Sequence, residues 1–233
     1  DDHPDMTIED AYAVCEEIRA IKQARGNKVV GYKMGLTSKA KLEQMGVARP
    51  GWAYLYDYFF CPDGGTLQTS ELIHPKVEPE IAIVTKAPLK GPGCTVGDVL
   101  AATDFVMPAM EIIDSRYKDF KFDFVSVIAD NSSSSRFVNG GRMRRPEDVD
   151  LNTRGVVMEK NGQIVAMGCG AAVLNHPAAA VAMLANIFGE KGQEIPAGSF
   201  IMTGGITAAV AVEAGDNITV HYQDLGSISV NFA

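Results

Sequence analysis

Three glutamates stand in apolar segments, where a charged side chain is costly to bury. Glu78 and Glu80 lie in HPKVEPEIAIV, residues 74–84, and Glu111 is the only charged residue of VMPAMEII, residues 106–113. Residues two apart in a strand point to the same side of a sheet, so Glu78 and Glu80 are predicted to project together. Buried carboxylates need a counter-charge or a cation. Three such oxygen donors favour one hard divalent ion, Mg²⁺ or Mn²⁺, over zinc. A solvated strand face for the pair, with local pairing of Glu111, is the competing interpretation.

Lys33 and Asp57 are the next candidates for chemistry. Lys33 lies between glycines in the otherwise apolar strand GYKMG, residues 31–35. It is either an exposed strand lysine or an ammonium directed at a substrate oxyanion beside the metal. Asp57 stands in an aromatic-rich stretch, residues 54–59. An acid there is either hydrogen-bonded structure or a catalytic carboxylate with a raised pKa.

Two polar segments could hold an anionic ligand. The stretch DNSSSSR, residues 130–136, is predicted to be a short polar loop, and the planar guanidinium of Arg136 suits a carboxylate. The loop GGIT, residues 204–207, follows a predicted strand at residues 200–203. Glycines in such a loop let backbone amides approach an anion closely. Both segments are therefore candidate contacts for a carboxylate substrate.

The composition is that of a soluble protein rather than a nucleic-acid-binding or membrane protein. The 233 residues are 46% hydrophobic and 21% charged, which suits a single domain spanning residues 1–233. A net charge of −8 argues against binding to nucleic acid or an anionic membrane. The sequence has neither a long uncharged apolar run nor a signal-peptide pattern, and its four cysteines are scattered. Reduced thiols of this kind predict a cytoplasmic protein.

The pattern of elements predicts an α+β fold. Residues 7–25 form the clearest helix, with Thr7 and Asp10 spaced as a capping box. Asn161 and Gly162 mark a two-residue hairpin turn between apolar strands. Strands outnumber helices and do not alternate with them, which favours a mixed β-sheet core with peripheral helices. Neither a G-x-G-x-x-G nor a G-x-x-x-x-G-K phosphate loop follows a strand, so nucleotide chemistry is not expected.

Six motifs in order make the whole chain resemble the fumarylacetoacetate hydrolase superfamily. They are GYKMGLTS (31–38), HPKVEPEIA (74–82), PAMEIIDSR (108–116), ADNSSS (129–134), NHP (175–177) and GSFIMTGGIT (198–207). The likeness is to the hydratase and decarboxylase branch, which acts in meta-cleavage degradation of aromatic compounds. Two segments, IDSRYKDFKFD (113–123) and IMTGGITAAV (201–210), resemble the decarboxylases of that branch. The resemblance implies the mixed-sheet β-roll of this superfamily, with a further helical segment ahead of residue 1.

The resemblance also implies a metal-dependent reaction on a 2-oxo acid. In the family pattern Glu78, Glu80 and Glu111 hold one Mg²⁺ or Mn²⁺ ion, and Lys33 lies beside the substrate. The implied reaction is loss of carbon dioxide from 2-oxohex-3-enedioate. The metal would accept electron density at the 2-oxo oxygen as a Lewis acid.

For that dicarboxylate substrate, different residues are expected to contact its two ends. Gly204, Gly205 and Thr207 are predicted to hold the carboxylate beside the ketone. Ser135 or Arg136 is predicted to contact the distal carboxylate. Binding there must not stabilise the substrate more than the transition state.

Three alternative functions remain open from the sequence. The first is hydration of 2-hydroxypenta-2,4-dienoate by the sister hydratase reaction. The second is acylpyruvate hydrolysis, although none of the four histidines stands in a recognisable His–Glu pair. The third is a non-catalytic subunit that stabilises a partner enzyme. The resemblance further implies a homo-oligomer and a complex with the hydratase of the same pathway.

Overall fold

The fold is built on two β-sheets, seen in a computed structural model that describes residues 3–38, 42–43 and 46–233. Its strands are β1 (Val29–Gly35), β2 (Gly51–Tyr56), β3 (Phe60–Pro62), β4 (Thr66–Leu67), β5 (Lys76–Thr85), β6 (Thr103–Ile113), β7 (Ser134–Asn139), β8 (Gly155–Lys160), β9 (Gln163–Cys169), β10 (Phe200–Met202), β11 (Val210–Ala211), β12 (Asn217–Tyr222) and β13 (Gly226–Phe232). The helices of the described ranges are α1 (Ile8–Ala24), α2 (Val96–Ala102), α3 (Phe124–Ala129) and α4 (Pro177–Glu190).

The larger sheet carries the candidate chemistry. Among the described residues its strand order is β2-β1-β10-β5-β6-β7-β3, with β11 also paired to β5. Strands β1 and β10, and β3 and β7, are parallel, whereas β5 is antiparallel to β6, β10 and β11. The second sheet has the order β4-β13-β12-β8-β9. The predicted α+β class with a mixed sheet is confirmed.

Local sequence signals explain several elements directly. Helix α1 begins at the Thr7–Asp10 capping box, in which each side chain accepts from the other residue's backbone N–H. The hairpin β8–β9 turns at Asn161 and Gly162, which both have positive φ. This conformation fits the right-handed twist of paired strands, and glycine adopts it without a steric penalty.

Buried side chains join the helices to the sheets. Helix α4 places Val181, Leu184, Ile187 and Phe188 in the main hydrophobic core. The segment Gly170–Glu190 is long and apolar enough to cross a membrane, but more than half of its most apolar window is buried within the fold. Helices α1 and α3 form a smaller apolar cluster that includes Cys15. These contacts bury one face of each helix against the rest of the fold.

One segment differs from its predicted structure. Residues 130–136, expected to form a polar loop, instead make a turn at Asn131–Ser133 and then enter β7. Serines 132 to 135 are all buried. The serine-rich sequence favours turns, but pairing with β6 over Ala109 to Ile113 determines the structure here. The sequence also predicts a short helix around residues 39–45, and most of that range lies outside the described residues.

Candidate metal centre

Two neighbouring strands bring the three glutamates together. In the antiparallel pair β5–β6, Glu78 lies directly opposite Glu111, and Glu80 lies opposite Ala109. Alternation along β5 places Glu78 and Glu80 on the same face of the sheet. One carboxylate oxygen from each of the three lies within 4.8 Å of the others. All three side chains are buried, so the competing interpretation of a solvated strand face is excluded.

Lys33 reaches the same cluster from β1. Strand β10 links β1 to β5, with Met202 opposite both Lys33 and Ala82, which puts Lys33 on the glutamate face. Its Nζ lies 2.9 Å from Oε2 of Glu111 and donates to the carbonyl oxygen of Ser132 at 3.0 Å. The side chain is buried, so Lys33 is not an exposed strand lysine.

The carboxyl groups of Glu80 and Glu111 are costly to ionise in their buried positions. Burial raises the pKa of Glu80 well above its ordinary value, and the neighbouring Glu111 and Glu78 raise it further against the opposing effect of Lys33. Burial also raises the pKa of Glu111, although Lys33 opposes that shift. A divalent cation beside these carboxylates would offset both the burial and the mutual repulsion.

Unpartnered oxygen atoms test whether these residues fit a metal ion. Oε1 of Glu80 and Oε1 of Glu111 are buried and accept no hydrogen bond from any described residue. A buried carboxylate oxygen without a donor is costly, and a hard cation satisfies it. Glu78, Glu80 and Glu111 would hold such an ion, so the residues fit the predicted metal.

The loop after β10 presses against the glutamates. The backbone N–H of Gly204 donates to Oε2 of Glu80 at 2.7 Å. Gly204 has φ +109°, and a Cβ there would lie 2.0 Å from Oγ1 of Thr37. At Gly205 a Cβ would lie 2.9 Å from Cδ of Glu78. The Gly204 amide was predicted to hold the substrate carboxylate, but it already orients a glutamate. Gly205 remains a predicted substrate contact.

A cavity of about 570 Å³ opens beside the cluster. Lys33 and Glu78 line its inner part, and Lys76, Phe120 and Lys121 line another part of its wall. Within the described ranges no histidine lines this cavity. The absence leaves the hydrolase alternative, which relies on a His–Glu pair, without support.

The structure does not bring Arg136 to the glutamates. Arg136 pairs with Ile112 in the β6–β7 ladder, one residue out of step with Glu111, so its side chain lies on the opposite face of the sheet. There it lines a separate cavity and pairs with Glu71 at 3.1 Å. Ser135 lines that same separate cavity. The prediction that one of them contacts the distal carboxylate is therefore corrected, because it assumed a loop where the chain forms a strand.

Asp57 lies apart from the cluster, whereas Thr207 lies next to the cavity wall. Asp57 follows the end of β2, where its Oδ1 accepts from the N–H of Tyr58 at 2.9 Å. Lys33 is opposite Ala53, four residues earlier in β2, so Asp57 lies about 13 Å further along the strand. This separation does not support a catalytic role for Asp57. The Thr207 hydroxyl donates to the carbonyl of Ala208 at 3.0 Å, next to the cavity wall.

Two polar residues of the site escaped the sequence analysis. Ser134 lowers the pKa of Glu111, against the larger effect of burial. Tyr222 lies beneath the cluster, where its hydroxyl donates to the carbonyl of Ala109 and accepts from the N–H of Glu80 at 3.3 Å. No local sequence pattern marks either residue as part of the site, because both reach it through strand pairing and tertiary packing.

The family model for the C-terminal domain of fumarylacetoacetate (FAA) hydrolase matches residues 37–233. The chain belongs to the fumarylacetoacetate hydrolase family. That family accounts for the mixed, curled sheet and for the paired strands that carry the acidic residues. The resemblance deduced from the six sequence motifs is confirmed.

Within the family, the chain is 64–66% identical to two decarboxylases, whereas a third decarboxylase and several hydratases match at 38–43%. The chain is 64% identical over 231 residues to 4-oxalocrotonate decarboxylase of Pseudomonas putida, covering 99% of this chain and 88% of that one. It is 40% identical over 234 residues to 2-hydroxyhexa-2,4-dienoate hydratase of Comamonas testosteroni, covering 100% and 89%. The solved structure of 4-oxalocrotonate decarboxylase from Pseudomonas putida G7, complexed with magnesium and adipate, superposes with a TM-score of 0.98 at 64% identity, covering 100% of this chain and 88% of that one.

Proposed function

We propose that this chain is a metal-dependent carboxy-lyase, a 4-oxalocrotonate decarboxylase. It converts 2-oxohex-3-enedioate into 2-hydroxypenta-2,4-dienoate and carbon dioxide in meta-cleavage degradation of aromatic compounds. The observation that carries the proposal is the group of three buried glutamate oxygens within 4.8 Å of one another, beside Lys33 and an open cavity. The 64% identity to a decarboxylase over nearly the whole chain supports the reaction type.

Glu78, Glu80 and Glu111 would hold Mg²⁺, or Mn²⁺ in its place. Mg²⁺ prefers a few carboxylate oxygens and keeps other positions for water or substrate, which suits a site open to a cavity. When bound, the ion supplies a Lewis acid that withdraws electron density from the 2-oxo group. The Gly204 N–H fixes Glu80 by occupying one of its oxygens, which directs the other oxygen toward the shared centre.

Lys33 stabilises negative charge as the substrate loses carbon dioxide. The bond between C5 and the distal carboxylate breaks, and its electron pair moves through the double bond to the 2-oxo oxygen. The Nζ of Lys33 forms an ion pair with Oε2 of Glu111 and donates one N–H to the Ser132 carbonyl. Because an ammonium has three N–H groups, Lys33 can also donate to the developing oxyanion. Preorganised charge of this kind is usually the largest catalytic contribution.

The replacement of one ligand tests the proposal. Glu80→Gln should reduce Mg²⁺-dependent release of carbon dioxide by about 100-fold or more, because loss of even an outer-shell partner of a metal site costs up to that amount. The matched control is Glu190→Gln, which removes a surface ion pair with Arg49 far from the cavity and should keep full activity. Activity in Glu80→Gln equal to that of the wild type would refute the assignment.

The same assay separates the sister hydratase reaction. Carbon dioxide release from 2-oxohex-3-enedioate is followed in parallel with loss of diene absorbance from 2-hydroxypenta-2,4-dienoate. The decarboxylase assignment predicts turnover of the first substrate and little of the second. Hydration without decarboxylation would make the chain a hydratase, as are its relatives at about 40% identity. Metal binding without either reaction would indicate a non-catalytic subunit.

The proposal includes the setting in which the enzyme works. The chain forms a single catalytic domain in the cytoplasm, consistent with its four free cysteines. It assembles as a homo-oligomer and binds the hydratase that consumes its dienol product. The support for this assembly is the family resemblance together with the instability of a free dienol.

A further inference from the structure

Two lysines form a second charged group in the catalytic cavity. Lys76 and Lys121 both line the wall that Phe120 shares. The Nζ of Lys76 lies 4.0 Å from the ring centroid of Phe120, a cation–π contact that fixes the ammonium over the ring. Lys121, the next residue after Phe120, is exposed to solvent. The chain as a whole is acidic, with a net charge of −8, so cations in this cavity oppose the overall charge.

The position of Lys76 on β5 relates it directly to the metal ligands. Lys76 is the first residue of β5, two residues before Glu78 and four before Glu80. All three side chains therefore share one face of the strand. At the usual rise of a strand, Lys76 lies about 7 Å from Glu78 along the sheet. A six-carbon diacid whose 2-oxo end lies at the glutamates extends over a similar length, so its far end reaches Lys76.

Lys76 has no acidic partner among the residues that the structure describes. Basic residues elsewhere, such as Lys160 and Arg154, are paired with aspartates. By contrast, no carboxylate of a described residue forms an ion pair with Lys76 or Lys121. A half-buried ammonium without a counter-ion attracts an anion from solution more strongly than a paired one does.

We propose that Lys76, assisted by Lys121, binds the distal carboxylate of the substrate and selects dicarboxylates over monocarboxylates. This inference rests on the proposed decarboxylase function and deepens it. A lysine suits the task because its ammonium is a single point charge, whereas an arginine fork would hold a carboxylate in two places. A looser contact attracts the dianion yet permits departure of carbon dioxide, since tight ground-state binding would slow the reaction.

Binding of two matched ligands tests the proposal. In Mg²⁺, isothermal titration compares 2-oxohexanedioate with 2-oxohexanoate, which has the same chain and ketone but lacks the distal carboxylate. Lys76→Met should weaken binding of the diacid by about tenfold or more, which is the loss expected when one charge-assisted hydrogen bond is removed. The monoacid should bind as it does to the wild type. Lys76→Arg should restore most of the affinity for the diacid.

Two surface variants provide controls. Lys86→Met removes an exposed lysine that does not line the cavity, and Arg136→Ala removes the arginine on the opposite face of the sheet. Neither should change the preference for the diacid. In turnover, Lys76→Met should raise KM for 2-oxohex-3-enedioate and leave kcat close to that of the wild type.

The outcomes distinguish this inference from the proposed function. Equal weakening of both ligands by Lys76→Met, or no weakening of either, would overturn the role of Lys76 while the wild type still releases carbon dioxide. A loss of the diacid preference in Arg136→Ala would return the role to that arginine. Wild-type protein that binds both ligands in Mg²⁺ but releases no carbon dioxide would instead refute the decarboxylase assignment.

Discussion

Ionising the buried glutamates of this site costs free energy of folding. Burial raises the pKa of Glu80 and of Glu111, and the two groups oppose each other's ionisation. A carboxyl whose folded pKa exceeds its unfolded value stabilises the folded protein below the unfolded pKa. That contribution is lost as the pH rises through the folded pKa. The metal-free protein therefore bears the cost of ionising these groups near neutral pH, and a divalent ion removes it.

A pH-dependent effect of Mg²⁺ on thermal stability follows. Ligand carboxylates must lose their protons to bind the ion, so the rise in Tm caused by Mg²⁺ should be larger at pH 8 than at pH 5.5. Differential scanning calorimetry with and without saturating Mg²⁺ measures both values. Glu80→Gln serves as the control and should show a smaller rise that depends less on pH. A rise independent of pH in the wild type would contradict the raised pKa values.

At the scale of elements, the sequence predicted the strands more accurately than it predicted which strands pair with each other. The alternation in HPKVEPEIAIV correctly placed Glu78 and Glu80 on one face, because that relation is local. The pairing of Glu78 with Glu111 joins strands whose residues are 33 positions apart in sequence, and no local pattern sets that register. Lys76 shares the same alternation as Glu78, so its place on the glutamate face was present in the sequence but was overlooked.

The position of Arg136 shows why the rest of the site could not be predicted from the sequence. Four serines precede it, and serine favours turns over strands. Pairing with β6 overrides that preference and makes residues 134–139 a strand. A strand gives each side chain one of two faces, and the register assigns Arg136 to the face away from Glu111. A prediction from residue type alone could not distinguish these faces.

The loop after β10 provides a prediction at the level of elements. Gly204→Ala places a Cβ against Thr37 at φ +109° and disturbs the N–H that holds Glu80. It should lower the free energy of unfolding by about 1–3 kcal/mol and weaken Mg²⁺ binding as well. Gly162→Ala, also at positive φ (+76°) in the β8–β9 turn, is the matched control. It should cost about 1 kcal/mol or more and leave Mg²⁺ affinity unchanged.

Chemical denaturation and Mg²⁺ titration of the two glycine variants check this difference. Equal loss of stability with equal Mg²⁺ affinity in both would show that the Gly204 amide does not position the metal ligand. Weaker Mg²⁺ binding in Gly204→Ala alone would show that the loop acts on the site through Glu80.

At the scale of the whole molecule, the large sheet separates two charged environments. One face gathers the glutamates, Lys33 and the cavity with Lys76, whereas the other carries Arg136 and its partner Glu71. The cavity on the glutamate face thus carries two cationic side chains, Lys76 and Lys121, although the chain as a whole is acidic. The fold contributes the strand register, and the register determines which residues meet the metal.

The most direct test of the account is the position of a bound cation. Crystals soaked in Mn²⁺ give an anomalous difference map that locates the ion without reference to any assumed chemistry. The account predicts one peak within coordination distance of Glu78, Glu80 and Glu111, next to the Lys33 ammonium. A peak elsewhere in the molecule, or none at this point with Lys33 occupying the centre of the three carboxylates, would contradict it.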